Sequence, residues 1–258
     1  MRFWSWLFAA ADARAPLLGI YALLAEWRAL TDPGTEVGVA QLKLAWWREE
    51  VHRLTADAPL HPITSYLSAL SRASAVDFTP LIAAVEAIAA QIGGVPIERS
   101  VDLEAHADAM LGRPLLIVAQ LSGDRLDEAS RRACTSALAA ADYLARAIAG
   151  YRREAVCGRL PFAVDELLAS GIENADLLAL TPPRRLQEYL ARLRTRAARY
   201  YESAVAALPG VERPQNRHLL VLATLGARQL AAPRPLSDPG PRDVYSAWRA
   251  ARRAASGK

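Results

Sequence analysis

The sequence predicts an all-α fold. Apolar residues recur three or four positions apart along most of the chain, which is the spacing of the buried face of an amphipathic helix. The alternation of apolar and polar residues that indicates strands is absent, and Pro and Gly divide the chain into helical segments. The 258 residues are 52% hydrophobic, enough for a large core. Because the only plausible linker, residues 232–241, lies close to the C-terminus, we expect a single domain over residues 1–258.

The first two predicted helices, residues 12–31 and 36–54, organise the rest of the chain. Asp32-Pro33-Gly34 separates them, because Pro cannot continue a helical hydrogen-bond ladder and Gly permits a turn. The second helix carries the unusual pentapeptide Trp46-Trp47-Arg48-Glu49-Glu50. For both Trp side chains we favour core packing over ligand contact. For the three charged residues, local pairing along the helix and a functional role remain open.

The later helices are predicted from caps and breakers. Thr79-Pro80 is an N-cap followed by Pro at the first helical position. We expect Pro114 to kink the helix that contains it. The Ala-rich segment should be central, since small side chains let helices approach closely. The predicted segments are a short helix ending at residue 71, then 80–91, 100–120, 124–156, 164–169, 181–208, 214–231 and 241–255.

Charge and composition exclude several classes of protein. A net charge of +4 with scattered arginines does not indicate a nucleic-acid partner. Two cysteines make no disulfide framework, and no apolar run approaches the ~18–20 residues of a spanning helix. Phe3, Trp4, Trp6 and Phe8 near the N-terminus resemble a short signal sequence, but Asp12 follows closely, so we favour a first helix packed on the core. We expect a cytoplasmic protein, with a peripheral contact at the inner membrane as the alternative.

Common catalytic motifs are absent from the sequence. There is no Gly-rich phosphate loop, HExxH, CxxC or GxSxG, and the four His residues have no ligand spacing.

A set of short motifs nevertheless resembles the squalene/phytoene synthase family, the head-to-head prenyl synthases, from about Leu7 to Ala250. The motifs are Tyr21-Ala22, the Trp46–Glu50 pentapeptide, Gly112, the Ala-rich helix, Gly158-Arg159, Asp165-Glu166-Leu167, Gly171 and Ala197-Ala198-Arg199-Tyr200-Tyr201. The resemblance implies an isoprenoid-synthase-like helical bundle around a central cavity. In that family two facing helices each carry Asp-x-x-x-Asp, whose carboxylates hold Mg²⁺ ions that bind the substrate diphosphates.

The acidic motifs are largely lost from this sequence. The first falls on Arg28-Ala29-Leu30-Thr31-Asp32 and the second on Gly150-Tyr151-Arg152-Arg153-Glu154. Only Asp32 and Glu154 remain, as weak remnants of the metal site, and we expect Arg28 to pair with Asp32 four residues later. An arginine at a buried site excludes a cation rather than recruiting one.

The resemblance also predicts the site. By position, Tyr21, Arg28, Tyr143, Arg146 and Arg159 are the predicted substrate-binding residues, and no catalytic residue is assigned. The predicted ligand is an isoprenoid diphosphate or another lipid in the central cavity, with no nucleic acid and an unidentified protein partner.

Three functions remain open. The first is a degenerate family member without a cofactor that binds isoprenoids or lipids, or acts as an assembly factor, as in the related complex I assembly factors. The second is an active prenyltransferase that condenses farnesyl or geranylgeranyl diphosphate, with Mg²⁺ and with altered diphosphate binding. The third is an interaction protein whose cavity is filled by side chains.

Overall fold

A computed structural model describes residues 2–32, 34–72, 76–123, 125–231 and 240–256. Within these ranges all regular structure is helical, which confirms the predicted all-α class. The helices are α1 (Arg2–Leu7), α2 (Ala11–Leu30), α3 (Val37–Thr55), α4 (Pro62–Ser71), α5 (Pro80–Ile92), α6 (Ser100–Ala107), α7 (Arg113–Ser122), α8 (Glu128–Val156), α9 (Val164–Ala169), α10 (Asn174–Leu178), α11 (Arg184–Ala206), α12 (Arg217–Ala231) and α13 (Pro241–Ala255). Pro33, Asp124 and most of the expected linker lie outside the described ranges.

The core begins with the face of α2 that the sequence predicts to be buried. Its apolar positions are all buried and pack with α3, α5 and α7. Trp27 of α2 meets Trp47 of α3 edge to face, with ring centroids 6.0 Å apart. Trp47 is therefore a core residue, as expected. The expectation for Trp46 is wrong, since its side chain is 43% exposed and lies against Trp47 and His61 at the surface. Neighbouring positions on a helix point about 100° apart, so a helix at the edge of the bundle cannot bury both.

Two charged residues of the pentapeptide, Arg48 and Glu50, join α3 to neighbouring segments. Glu50 is fully buried and accepts hydrogen bonds from the backbone N–H groups of Leu60 (2.8 Å) and His61 (2.7 Å), as well as from the Thr64 hydroxyl. Burial alone would raise the pKa of Glu50, but its hydrogen bonds outweigh that effect and lower the pKa. Arg48 binds Glu86 of α5 at 2.8 Å. These contacts hold α3 to the α3–α4 turn and to α5.

A π-helical turn, Asp108–Gly112, joins α6 to α7 just before Pro114, where the sequence predicts a kink. Gly112 is required by a close approach, because a Cβ there would lie 2.2 Å from Oδ1 of Asp108 and 3.4 Å from the Thr135 carbonyl of α8. The turn places Met110 and Leu111 on the wall of the central cavity.

The Ala-rich helix α8 is central, as its composition predicts. It contacts α6, α7, α10, α11, α12 and the π-helical turn. It begins at Glu128, where the side chain of Asp127 accepts a hydrogen bond from the N–H of Ser130 at 2.9 Å.

Most of the aromatic N-terminus packs against the protein. Trp4 and Phe8 contact a cluster formed by α12 and α13, and Trp6 contacts the main core, whereas Phe3 is 59% exposed. Ser5 fixes α1, since its hydroxyl is 3.0 Å from the Tyr21 hydroxyl and donates to the His218 carbonyl at 2.9 Å. Among the described helices, none has the length and the hydropathy to cross a bilayer.

Candidate functional site

A cavity of about 720 Å³ lies between the C-terminal half of α2, the C-terminal end of α5, the π-helical turn, α8 and α12, with α1 beside it. Part of its wall is apolar, contributed by Leu24, Ile88, Met110, Leu111 and Leu222. Side chains do not fill this cavity, whereas the hypothesis of a plain interaction protein expects a filled one. It thus offers room for a ligand with an apolar portion.

Four arginines, Arg2, Arg28, Arg146 and Arg153, line the same cavity. Arg146 forms an ion pair of 2.7 Å with Asp142, one turn earlier on α8. Within the described ranges, Arg2 and Arg28 have no ion pair, and the guanidinium of Arg2 lies 5.8 Å from the centroid of the Tyr21 ring. Positive charge on this wall therefore exceeds the negative charge that could balance it.

This excess of positive charge, together with burial, lowers the pKa values of Arg2 and Arg28. The positive charge of Arg146, followed by desolvation and the charge of Arg2, lowers the pKa of Arg28 to about 9. Burial and the charge of Arg146 lower the pKa of Arg2. Arg28 still carries its charge at neutral pH, so the arginines repel one another in the absence of an anion. An anionic ligand would remove this repulsion.

The two remaining motif carboxylates, Asp32 and Glu154, both line the cavity. The expected ion pair between Arg28 and Asp32 is wrong. Helix α2 ends at Leu30, so Asp32 lies beyond the helix and loses the i,i+4 geometry, and its Oδ1 accepts a hydrogen bond from the Gly34 N–H at 3.1 Å instead. Glu154 forms an ion pair of 2.7 Å with Arg159, whose other nitrogen donates to the Thr31 carbonyl at 3.0 Å.

These residues do not fit the Mg²⁺ cluster that the family resemblance implies. Glu154 is neutralised by Arg159, and Asp142 by Arg146. In the part of the chain that the structure describes, no group of three or more His, Cys, Asp or Glu side chains is arranged to hold a metal ion. Four guanidinium groups on the same wall further disfavour a divalent cation.

The structure brings five of the seven predicted site residues to the cavity wall: Arg28, Asp32, Tyr143, Arg146 and Glu154. Tyr143 donates a hydrogen bond to the Pro161 carbonyl at 3.2 Å, and burial raises its pKa.

Tyr21 and Arg159 lie behind the wall rather than on it. Burial raises the pKa of Tyr21 to about 12, and its ring lies against Arg2. Arg159 connects the C-terminal ends of α2 and α8. Both therefore contact cavity residues from the protein side.

Sequence reasoning missed two charged residues of the cavity, Arg2 and Asp142. Asp142 precedes Arg146 by one helical turn, so the i,i+4 pair could have been found from the sequence. Arg2 gives no such signal, because it reaches Arg28 and Arg146 only through the packing of α1 on α12 and α13.

Comparisons with known proteins agree with this architecture. The family model for squalene/phytoene synthase matches residues 2–234. Squalene synthase HpnC from Alicyclobacillus acidocaldarius is similar with a TM-score of 0.75 and 19% identity, over 88% of this chain and 85% of that one. A dehydrosqualene synthase, solved in complex with a ligand, is similar with a TM-score of 0.78 and 14% identity, over 99% of this chain and 90% of that one. No curated protein gave a significant match. These likenesses confirm the predicted fold.

Proposed function

Because this chain belongs to the squalene/phytoene synthase family, we propose that it binds a prenyl diphosphate or a similar anionic isoprenoid in the arginine-lined cavity. In this proposal the chain has kept the fold and lost the Mg²⁺-dependent head-to-head condensation. The diphosphate would contact Arg28, Arg146 and Arg2, and the prenyl chain would lie along the apolar wall.

The observation that carries the proposal is the convergence of these three arginines on one cavity, where Arg146 is paired with Asp142 but Arg2 and Arg28 have no ion pair within the described residues. A guanidinium donates two parallel hydrogen bonds to a phosphate, so it can replace a metal as the group that holds a diphosphate. The apolar side chains beside the arginines supply the second requirement, because burying each CH₂ of a prenyl chain contributes about 0.8 kcal/mol.

The proposed loss of the condensation is supported by the chemistry of the departing pyrophosphate. The family mechanism uses a cluster of Mg²⁺ ions to stabilise that leaving group, and here the carboxylates Glu154 and Asp142 are held by arginines. The same guanidinium groups are also suited to stabilise a departing pyrophosphate, which supports the active prenyltransferase as the second candidate.

The proposal predicts thermal stabilisation by farnesyl diphosphate in the presence of EDTA, of the same size as in the presence of Mg²⁺. A ligand at about 100 times its Kd stabilises the native state by ~2.7 kcal/mol. Arg28→Gln and Arg146→Gln should each weaken binding by about ten-fold or more, since a hydrogen bond to a charged group contributes ~1.5–3 kcal/mol. The measurements are ligand-induced shifts in melting temperature, with farnesol as the probe that lacks the diphosphate.

Arg132→Gln is the matched control. Arg132 also lies on α8 and also pairs with an acidic residue four positions earlier, Glu128 at 3.0 Å, but it is exposed and outside the cavity. This variant should bind like the wild type. Absence of a shift with farnesyl diphosphate would refute binding, and Mg²⁺-dependent release of pyrophosphate would establish the active prenyltransferase instead.

A further inference from the structure

Helix α13 packs against the rest of the protein through alanines and turns its large side chains outward. The residues of α13 that are buried are Ala247, Ala251 and Ala254, and they face α12. On a helical projection, the opposite side carries an uninterrupted set of six exposed residues, named here the α13 outer face. The α13 outer face consists of Arg242, Tyr245, Trp248, Arg249, Arg252 and Arg253.

Two aromatic rings form the centre of the α13 outer face. Tyr245 is 59% exposed and Trp248 is 39% exposed, and their ring centroids are 5.6 Å apart. The guanidinium of Arg252 lies 4.9 Å from the centroid of the Trp248 ring. An exposed Tyr–Trp pair with an arginine beside it is suited to the boundary between water and lipid, where one end of each ring is apolar and the other is hydrated.

The charge on the α13 outer face is entirely positive. Arg242, Arg249 and Arg253 form no ion pair within the described residues. The one acidic residue of α13, Asp243, is bound to Arg228 of α12 at 2.9 Å and accepts a hydrogen bond from the Gly240 N–H at 3.1 Å. The helix therefore presents unneutralised arginines, together with two aromatic rings, on one side.

We propose that the α13 outer face is a docking surface for an anionic lipid bilayer. Charge complementarity and the paired rings support this partner, because basic residues bind anionic headgroups while aromatic rings insert at the headgroup level. A soluble polyanion such as nucleic acid or an acidic protein would also contact the arginines, and direct binding to vesicles distinguishes the bilayer from these partners.

Helix α1 connects this surface to the cavity. Trp4 and Phe8 pack on the cluster that contains Ala247 and Ala251 of α13, whereas Arg2 and Phe3 of the same short helix line the cavity. Bilayer docking does not depend on the proposed prenyl diphosphate binding, because the two ligands use different side chains. Vesicles without any isoprenoid therefore test it separately.

The test is sedimentation of the full chain with vesicles of phosphatidylcholine alone and of phosphatidylcholine mixed equally with phosphatidylglycerol. We expect binding to the mixed vesicles that weakens as salt is added. Each arginine removed should lower partitioning about five-fold, so Arg249→Gln combined with Arg253→Gln should lower it by about twenty-fold or more. Trp248→Ala, which leaves every charge in place, should also lower partitioning to the mixed vesicles.

The control is Arg194→Gln combined with Arg199→Gln. Both residues are exposed on α11. Their substitution removes the same amount of charge from a helix that has no exposed aromatic pair. Melting temperatures verify that all variants fold. The proposal is overturned if the wild type ignores the mixed vesicles, if the control loses as much binding as the α13 variant, or if Trp248→Ala has no effect.

Discussion

Arg28 lies where the resemblance places the first acidic residue of a metal-binding motif, and its surroundings in the cavity are mainly positive. The largest influence on its pKa is the positive charge of Arg146, which lies on a different helix, α8. Helices α2 and α8 therefore bring like charges together on one wall of the cavity. A polar wall of this kind is maintained at the expense of stability, as is common for functional sites.

We predict that Arg28→Gln stabilises the ligand-free protein while it weakens ligand binding. The charge of Arg146 and desolvation lower the pKa of Arg28 in the folded protein to about 9, so the folded state disfavours the charged form. At neutral pH Arg28 keeps its charge, so this unfavourable contribution is fully present there. With solvent screening, the gain in the free energy of unfolding at pH 7 should be a few tenths to about 1 kcal/mol.

Urea denaturation of the wild type and Arg28→Gln at pH 7, at low and at high salt, measures this difference. The advantage of the variant should shrink at high salt, because screening weakens the repulsion between Arg28 and Arg146. Arg132→Gln, which removes an exposed and paired arginine, should not be stabilised. A destabilised Arg28→Gln protein would show that this arginine has a structural role instead.

At the scale of the helices, close approach explains why small residues occur where they do. Gly226 of α12 faces Tyr201 of α11, and a Cβ on Gly226 would lie 2.2 Å from the hydroxyl oxygen and 2.3 Å from Cζ of that ring. Tyr201 is buried, and burial raises its pKa. The ring cannot move aside freely, so the distance between α11 and α12 depends on this glycine.

We predict that Gly226→Ala destabilises the protein by about 1–3 kcal/mol through overpacking against Tyr201. Gly150→Ala on α8 is the matched control, because the nearest atom to its new Cβ is a nitrogen of Arg153 at 3.7 Å. That variant should be neutral, or more stable by up to ~1 kcal/mol, since Ala favours helix over Gly. Thermal denaturation followed by circular dichroism compares the two variants. Equal changes in their melting temperatures would refute the packing argument.

At the scale of the whole molecule, the apolar clusters are joined by shared side chains. The largest cluster contains α2, α3, α5 and α7, and the second contains α9, α10 and the first half of α11. Met110, Tyr200 and Leu230 pack against both. Helix α8 contributes to both as well, so neither cluster is complete without it.

We therefore predict that residues 1–258 form one domain that unfolds in a single cooperative transition. Chains of this length often populate intermediates, so the outcome is informative. Tryptophan fluorescence reports on the regions outside the second cluster, which contains none of the six Trp residues, and far-ultraviolet circular dichroism reports on all helices. Coincident melting curves are expected, whereas two separated transitions would indicate two folding units.

The local features of the fold could be predicted from the sequence because they depend on neighbours along the chain. The spacing of apolar residues identified the buried face of α2, and Pro and Gly located most helix boundaries to within a few residues. The π-helical turn was missed because it packs on α5 and α8, which are distant in the sequence. The short helix α10 was also missed, although Glu173 and Asp176 form a capping box at its start. The sequence alone does not show which of Trp46 and Trp47 is buried, because the exposure of Trp46 depends on the position of α3 at the edge of the bundle.

The sequence by itself determined that this chain is helical, and its resemblance to the family predicted that most of the metal-binding acids have been replaced by arginine or small residues. Only the tertiary structure decided which charges face one another. The expected pair of Arg28 and Asp32 fails because α2 ends two residues before Asp32, while Arg2 joins the cavity from a helix far away in the sequence. Helix formation depends on residues within one turn, but the electrostatics of a cavity depend on distances set by packing of the whole chain.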